Sequence, residues 1–534
     1  MIRARGGARG AALAFVLAAA VVHAADVTVP GTATKVETSG YVDGLAVAEI
    51  GGPRQRPQAI AELSLLGKVT RELRLKATFL SRVGGPFEGG HPGIMDLVHE
   101  FQNRTPSLEF NEAYAELRHG DVQLRAGIQK FAWGKLDGAP PTDVLTPRDL
   151  HDPIVRDFEE SKIGIPAVAF TYYVPPVESL GLSELKASLA YMPIAVPSRI
   201  ALLEERWFPP SIKASGLGLS ERRANALIAA FVKEFNVQTP DGEVPTVSGP
   251  VRIPLNLFTL NNRPPKTFDA GGIAARFGGA LRGVDWSISH YTGPETGPDL
   301  ELDASARCRN CIPNLIANQT LGIRARSFIK QTHDTIHMTG ADFSTALGGA
   351  TVRGEVAVFQ DRPYLRISRQ VIATALTPQS LSRYGPRLFG IDPKTGLPVD
   401  SKRAHVPLPP LFPDRDSVEW GIGADYLIEG FLPILQVNQV IFTDDGPEQL
   451  LSNPETRLLA SLRKRFLDET LEVELRGVYA FERAAWFTYP RISYRWKDNW
   501  RFRLGYLAIG GPLESMIGQF HANDEFTLEA RYSF

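Results

Sequence analysis

The chain has 534 residues, is 43% hydrophobic and 22% charged, and carries a formal net charge of −1. Near-neutral charge argues against a nucleic-acid partner, and two cysteines cannot hold a disulfide framework together. Past the N-terminal leader no run of about eighteen apolar residues occurs, so no helical membrane span is expected.

The leader itself has Arg3, Arg5 and Arg9, an apolar stretch from Ala11 to Val22, and a small-x-small site at Val22, His23 and Ala24. It reads as a secretory signal over residues 1–24, leaving 25–534 as the mature chain. Losing its three arginines takes the formal charge to about −4.

From there the chain alternates. Strands are expected at Val36–Ala48, Ala59–Val69 and Arg71–Val83, where Leu73, Leu75, Ala77 and Phe79 face one way and Arg74, Lys76 and Thr78 the other. A Gly/Pro/Asp-rich loop at 84–108 leads to a hairpin of Glu109–His119 and Asp121–Trp133. A second loop at 134–162 is followed by strands Ile163–Val174 and Glu184–Ile194. Residues 195–267 do not alternate. Within them Ser220 could cap an amphipathic helix whose Ala224, Leu227, Ile228, Phe231, Val232 and Phe235 recur at helical spacing.

Strands resume at Phe268–Phe277 and Gly283–Thr292, then loop residues 293–333 include Leu321–Ile329 as a strand extension above the membrane. Thr335–Ala346 and Gly349–Gln360 form a hairpin, and a proline-rich loop at 361–416 precedes Ser417–Leu427 and Phe431–Thr443. Arg457–Phe466, Leu471–Phe481, Phe487–Arg495, Trp500–Tyr506 and Phe526–Phe534 complete the chain.

This is an all-β pattern of about eighteen strands, roughly sixteen to twenty, and implies a single transmembrane antiparallel β-barrel. The long loops at 84–108, 134–162, 195–267, 293–333 and 361–416 take alternate connections, and turns near 70, 120, 280, 347, 429, 468 and 498 take the others. Outer-membrane barrels are built this way, with short periplasmic turns and long extracellular loops. The aromatic last strand is expected to pair with the first, because an open edge is not tolerated in lipid.

If the apolar members of each strand face lipid, then Arg74, Lys76, Arg125, Arg353, Glu355, Glu472, Glu474, Arg476, Arg495, Arg501, Arg503, Glu529 and Arg531 face the lumen. They either neutralise one another to support the wall or create a transverse field that orients solutes. The loop after the fifth strand carries Lys135, Asp137, Asp143, Arg148, Asp149 and Asp152 between fixed glycines and prolines. Bent into the barrel it would narrow the lumen, making these six the constriction candidates; otherwise they cap one another at the rim. Trp133, Trp420, Trp486, Trp496 and Trp500 near strand ends suggest an aromatic interface belt.

Gln129 to Gly134, Pro141 to Leu145, Pro147 to Asp149, Lys162 to Ala167 and the ending Arg531, Tyr532, Ser533, Phe534 resemble the outer-membrane family called domain of unknown function 1302, which is similar to alginate-export and porin-like barrels. The resemblance spans nearly the whole mature chain. It implies one Gram-negative outer-membrane barrel and supplies no substrate, catalytic or ligand residues. Members are variously associated with hydrophobic-compound, steroid or lipid handling.

Other chemistry is weak. Cys308 and Cys311 are spaced as CxxC without a following histidine, so a local disulfide is expected rather than haem attachment or zinc. His333 and His337 read as polar strand-edge residues, and no GxxxxGK loop or GxSxG elbow occurs. No metal, cofactor or enzymatic activity is expected. The expected function is a channel for small polar or amphipathic solutes in the cell outer membrane, and the alternative is a sheath around a periplasmic partner such as a multihaem cytochrome or export complex. Outer-membrane lipid, lipopolysaccharide and the barrel assembly machinery are the expected partners, with a periplasmic protein or further copies of the chain also open.

Overall fold

A computed structural model describes residues 27–28, 35–51, 57–84, 93–94, 107–201, 205–213, 217–219, 221–234, 251–253, 255–260, 270–297, 299–308, 323–367, 404–406, 410–534 and a few single positions within 243–248. The signal at 1–24, Ser220, Cys311, and much of the expected loops at 84–108, 195–267, 293–333 and 361–416 lie outside the described residues.

Eighteen long strands form the wall. They are β1 (Lys35–Glu49), β2 (Gln58–Lys68), β3 (Leu73–Gly84), β4 (Ser107–His119), β5 (Val122–Gln129) and β6 (Ile165–Tyr173). There follow β7 (Leu182–Met192), β8 (Gly272–Leu281), β9 (Val284–Pro294), β10 (Thr335–Leu347), β11 (Ala350–Pro363) and β12 (Asp414–Tyr426). The ring ends with β13 (Phe431–Phe442), β14 (Glu455–Phe466), β15 (Leu471–Ala480), β16 (Ala485–Trp496), β17 (Trp500–Gly510) and β18 (Glu525–Ser533).

Each strand pairs antiparallel with its neighbours in the chain, and β18 returns to β1 in register from Tyr41↔Ser533 to Glu49↔Glu525. Beyond that ladder, Gly40 and Phe534 exchange two backbone hydrogen bonds of 2.9 Å. The terminal phenylalanine is thus held in the seam. Closure gives every wall strand a partner on each side, the condition for a sheet to stand in hydrocarbon.

Alternation sorts the two faces as expected. On β15, Val473 is 39% and Leu475 51% exposed on the outside, while Glu474 between them is 8% exposed on the inside. The same holds on β17, where Leu504 is 52% exposed outward and Arg503 forms ion pairs inward. A closed barrel with this apolar outer surface is an outer-membrane protein by construction. No described helix is long and apolar enough to cross a membrane; the strands do so.

Short connections gather at one end and long ones at the other. Arg282–Gly283 and Gly348–Gly349 make two-residue turns with positive φ at both positions, as the twist of a tight hairpin demands. At the long-loop end the segments 299–308, 323–332, 255–260 and 404–406 form a separate four-stranded sheet, which includes the expected extension near Ile323. The expected helix is present as Glu221–Glu234.

The inward positions are not uniformly polar. On β10, Ile336 and Met338 are fully buried inside, whereas Asp342 lies further along the same face. The upper lumen holds two apolar clusters. One packs Trp133, Val144, Leu145 and Ile163 against Ile336, Met338 and Phe359; the other packs Val155, Trp207, Phe208 and Ile212 against Leu45, Tyr489 and Leu507. Loops therefore fold inward and bury apolar surface within the barrel, worth roughly 25 cal/mol per Å².

Candidate functional site: a segment tied across the lumen

The connection from β5 to β6, residues 130–164, runs across the barrel interior. Its own turns come from short polar contacts. The Phe131 amide donates to Thr146 Oγ1 at 2.9 Å, and that hydroxyl donates back to the Phe131 carbonyl at 2.9 Å. Asp143 accepts from the Trp133 amide at 3.2 Å and from Arg148 at 2.5 Å, and pairs with Lys162 at 3.0 Å. Burial pushes the Asp143 carboxyl up from its ordinary range, and Lys162 and Arg148 pull it back in part. The Arg148 guanidinium lies over the Phe158 ring at 3.3 Å and donates to the Phe158 carbonyl at 2.9 Å.

Anchors then attach this segment to nearly opposite walls. On β11, the Glu355 carboxylate accepts from the amides of Lys135, Leu136 (2.7 Å) and Thr142 (3.3 Å) and from the Thr142 hydroxyl (2.9 Å). Around the far side, Asp157 meets Arg491 at 2.9 Å, Arg503 at 3.0 Å and Arg476 at 3.7 Å. Burial alone would raise the Asp157 carboxyl; Arg491, Arg503 and Arg476 instead hold it well below the usual carboxylate range. Glu160 pairs with Arg531 at 2.6 Å, and Arg156 donates to Asp43 at 2.7 Å and Gln58 at 2.6 Å. Asp149 receives Arg82 at 2.6 Å and His151 at 2.7 Å. Arg82 also pairs with Glu109, which Arg199 grips from above.

The constriction candidates accordingly sit on this segment but differ in exposure. Asp137 is the open one: its side chain is 46% exposed and meets Arg353 at 3.1 Å. The Lys135 ammonium lies 4.0 Å from Asp342. Asp143, Arg148 and Asp149 are spent on internal and wall bonds, and Asp152 is buried.

Most lumen candidates are paired along the wall: Arg74 and Arg125 with Glu116 at 4.0 and 2.6 Å, Lys76 with Glu112 at 2.5 Å, and Arg353 with Asp425 at 2.7 Å. Glu472 pairs with Arg465 at 3.0 Å, Glu474 with Arg491, and Arg501 with Glu529 at 3.3 Å. Arg476, Arg503 and Arg531 reach the crossing segment, the latter two while also pairing with Glu529 and Asp43 of the wall. His333 bonds the Glu295 carbonyl at 3.0 Å and His337 faces Thr292 at 3.0 Å. Cys308 ends a strand of the outer sheet, and its expected partner Cys311 is outside the described residues.

One expectation is corrected. Trp133 is not a belt residue: it is 8% exposed inside the barrel, within the inner apolar cluster and 5.6 Å from the Arg276 guanidinium. An aromatic at a strand end satisfies both patterns, and the inward turn of the loop decides between them. Trp486 and Trp496 are 37% and 47% exposed.

Against this segment lies a cavity of about 590 Å³. Ala139, Pro141, Leu150 and Pro153 form its inner side, and inward residues of β12 to β15, including Glu419, Asn438, Arg457, Leu459 and Val478, form the wall. On this arc the segment is held more lightly. Asn438 donates to the Ala139 carbonyl at 3.3 Å, Leu136 packs on Gly421, and Leu459 covers Gly138 so closely that an added methyl would lie 2.6 Å from its Cδ1. At the cavity's upper rim Arg362 joins Glu295 at 3.0 Å and Glu419 at 2.9 Å, and Tyr364 donates to Glu419 at 2.7 Å. Burial, reinforced by Glu295 and Asp334, pushes the neighbouring Asp299 carboxyl up to about 9.

No protein-family model matches the chain, and no curated protein is similar to it in sequence. Solved structures are similar in fold. The chain resembles outer-membrane barrels. OccK1 (OpdK) of Pseudomonas aeruginosa is 10% identical with a TM-score of 0.44, covering 93% of this chain and 98% of its own. Wzi of Escherichia coli, an outer-membrane protein involved in group 1 capsule assembly, is 9% identical with a TM-score of 0.42, covering 93% and 84%. The channel DcaP of Acinetobacter baumannii is 9% identical with a TM-score of 0.38, covering 96% and 100%.

Sequence reasoning did not single out Asp43, Arg82, Arg156, Asp157, Glu160 or Arg491. A lone acid inside an apolar strand at Asp43 and the charged run from Arg156 to Lys162 were the available signals.

Proposed function

We propose that the protein is an outer-membrane channel for small polar or amphipathic solutes, which pass between the crossing segment and the β12 to β15 wall. The observation that carries this reading is the cavity of about 590 Å³ on the lightly held side of the segment, apolar over most of its lining and edged by Arg362, Glu419 and Arg457. A narrowed lumen with charged groups at its edge selects solutes by size and sign. A sheath around a folded partner is less well supported, because the chain's own segment and inward loops occupy the interior that a partner would need. The reading is of a conduit without chemistry of its own, assembled by the barrel assembly machinery into lipid and lipopolysaccharide. Membership of the porin-like family suggested by the Trp133 to Asp149 motif belongs to the same proposal.

Single-channel recording of the refolded mature protein in a planar bilayer tests it. Discrete ohmic steps with a preference for one ion sign are expected. Silence from a barrel shown to be folded by its heat-sensitive gel mobility would overturn the channel reading.

A further inference from the structure

Arg457 stands apart from the wall arginines that reach the crossing segment. Its inward side chain lines the cavity, yet it forms no ion pair with a carboxylate among the described residues, and its buried Nε has no hydrogen-bond acceptor there. Glu482 attracts it through space but spends its hydrogen bond on the Thr456 amide at 2.7 Å, while Arg483 pairs with Glu448 at 3.2 Å and Glu455 accepts from the Ser452 amide at 2.9 Å. A half-desolvated guanidinium that Glu482 attracts only through space, without a hydrogen bond, still gains from an anion that bonds it directly.

Its surroundings define the shape of that anion. Leu459, Val478, Met516 and Phe520 give the cavity an apolar floor beside Arg457. The register Gly421↔Asn438↔Arg457 places Arg457 two strands from β12, whose Glu419 points into the same cavity one inward step higher. Two strand spacings and that step separate the cationic and acidic poles by roughly 12 Å. A second negative charge at the far end of a solute would meet Glu419 and Glu295.

We infer that this cavity is a binding site for amphipathic monoanions, with the carboxylate or equivalent head on Arg457 and an apolar body on the Leu459, Val478 and Phe520 floor. The inference rests on the channel reading for its physiological sense and adds the substrate class.

Two measurements on the full mature protein keep the two ideas separable. In the bilayer, millimolar phenylacetate is expected to reduce chloride current through the channel, whereas phenylethanol and phenethylammonium are not. Arg457→Gln is expected to raise the half-blocking concentration roughly tenfold, the loss of one charge-assisted contact, with open conductance retained; Arg457→Lys should keep most of the block. In detergent, calorimetry should show phenylacetate binding with the same order among the variants. Block and binding that are equal for the anion and the alcohol, or unaltered in Arg457→Gln, would overturn the site while leaving a conducting channel in place. Arg457-dependent binding by a barrel that never conducts would support the site and defeat the channel reading.

Discussion

Arg491 of β16 donates to Asp157 of the crossing segment at 2.9 Å, joining positions 334 residues apart in the chain. Arg503 and Arg476 converge on the same carboxylate. One aspartate therefore bridges three wall arginines, of which Arg491 and Arg503 keep Glu474 and Glu529 as wall partners, so its loss removes the segment's share of the compensation across β15 to β17. Asp157→Asn is expected to destabilise the segment's anchorage by about 1–2 kcal/mol, the loss of charge-assisted bonds at a partly exposed group. Since the wall ladder is untouched, the barrel should still form. The check is single-channel recording: larger and noisier open currents than wild type, with unchanged heat-sensitive gel mobility.

The same anchor should resist acid. The folded Asp157 carboxyl is depressed, so its stabilising contribution is complete above the ordinary aspartate value and fades only as pH falls through the folded value, well below that range. Conductance noise should then be flat from neutral pH down to about 4 in wild type. A rise within that interval that Asp157→Asn does not share would place the sensitive group at Asp157 after all.

On β11, further round the wall, Glu355 gathers three backbone amides and the Thr142 hydroxyl. Each bond to a charged acceptor contributes about 1.5–3 kcal/mol, and no other described side chain holds residues 135–142 so fully. Glu355→Ala is expected to free this half of the segment, raising mean conductance and exposing Lys135 to solvent. Protease cleavage near Lys135 in intact, folded barrels is the direct check; protection equal to wild type would refute the role.

Asp299 gives the vestibule a switch of opposite sign. Its carboxyl is pushed up to about 9 by burial and by Glu295 and Asp334. The folded state keeps a proton that the unfolded chain releases near pH 4, so stability falls as pH rises from about 4 and levels off above the folded value. Passing that value adds a negative charge beside Glu295 and Glu419. Cation preference, read as reversal potential across a salt gradient, should increase between neutral pH and pH about 10. Asp299→Asn should abolish the change.

How much of this could be read from the residues alone divides along physical lines. Strands such as Leu73–Gly84 and Trp500–Gly510 were legible because period-two alternation is a local property, and the turns at Gly348–Gly349 because tight hairpins demand particular residues. The glycines and prolines of the loop after β5 marked its path as fixed. Its destinations were not readable: Asp157 with Arg491, Arg156 with Asp43 and Glu160 with Arg531 each depend on ring closure, which brings distant strands to one lumen. Apolar inward residues such as Met338 and Phe359 look identical in sequence to lipid-facing ones.

Gly127 tests whether the base of the crossing segment is set by the wall. It lies in β5 just before the segment, with φ of +130°, and an added Cβ would lie 2.2 Å from the Ala113 carbonyl oxygen and 2.7 Å from the Tyr114 Cα. Both obstacles are backbone of the neighbouring β4, so neither can rotate aside, and the conformation itself is one that glycine alone adopts cheaply. Gly127→Ala must therefore push β5 from β4 and shift Gln129, whose amide donates to the Ala167 carbonyl at 2.9 Å and so ties the two ends of the segment. The expected cost is about 1–3 kcal/mol, read as a lower temperature for the heat-sensitive mobility shift. Gly120→Ala serves as the control: nothing lies within 4 Å of a Cβ there, although its φ is +56°. A loss of stability at Gly127 no greater than at Gly120 would mean that β4 and β5 yield easily, and that the segment's base is held by Gln129 rather than by the wall.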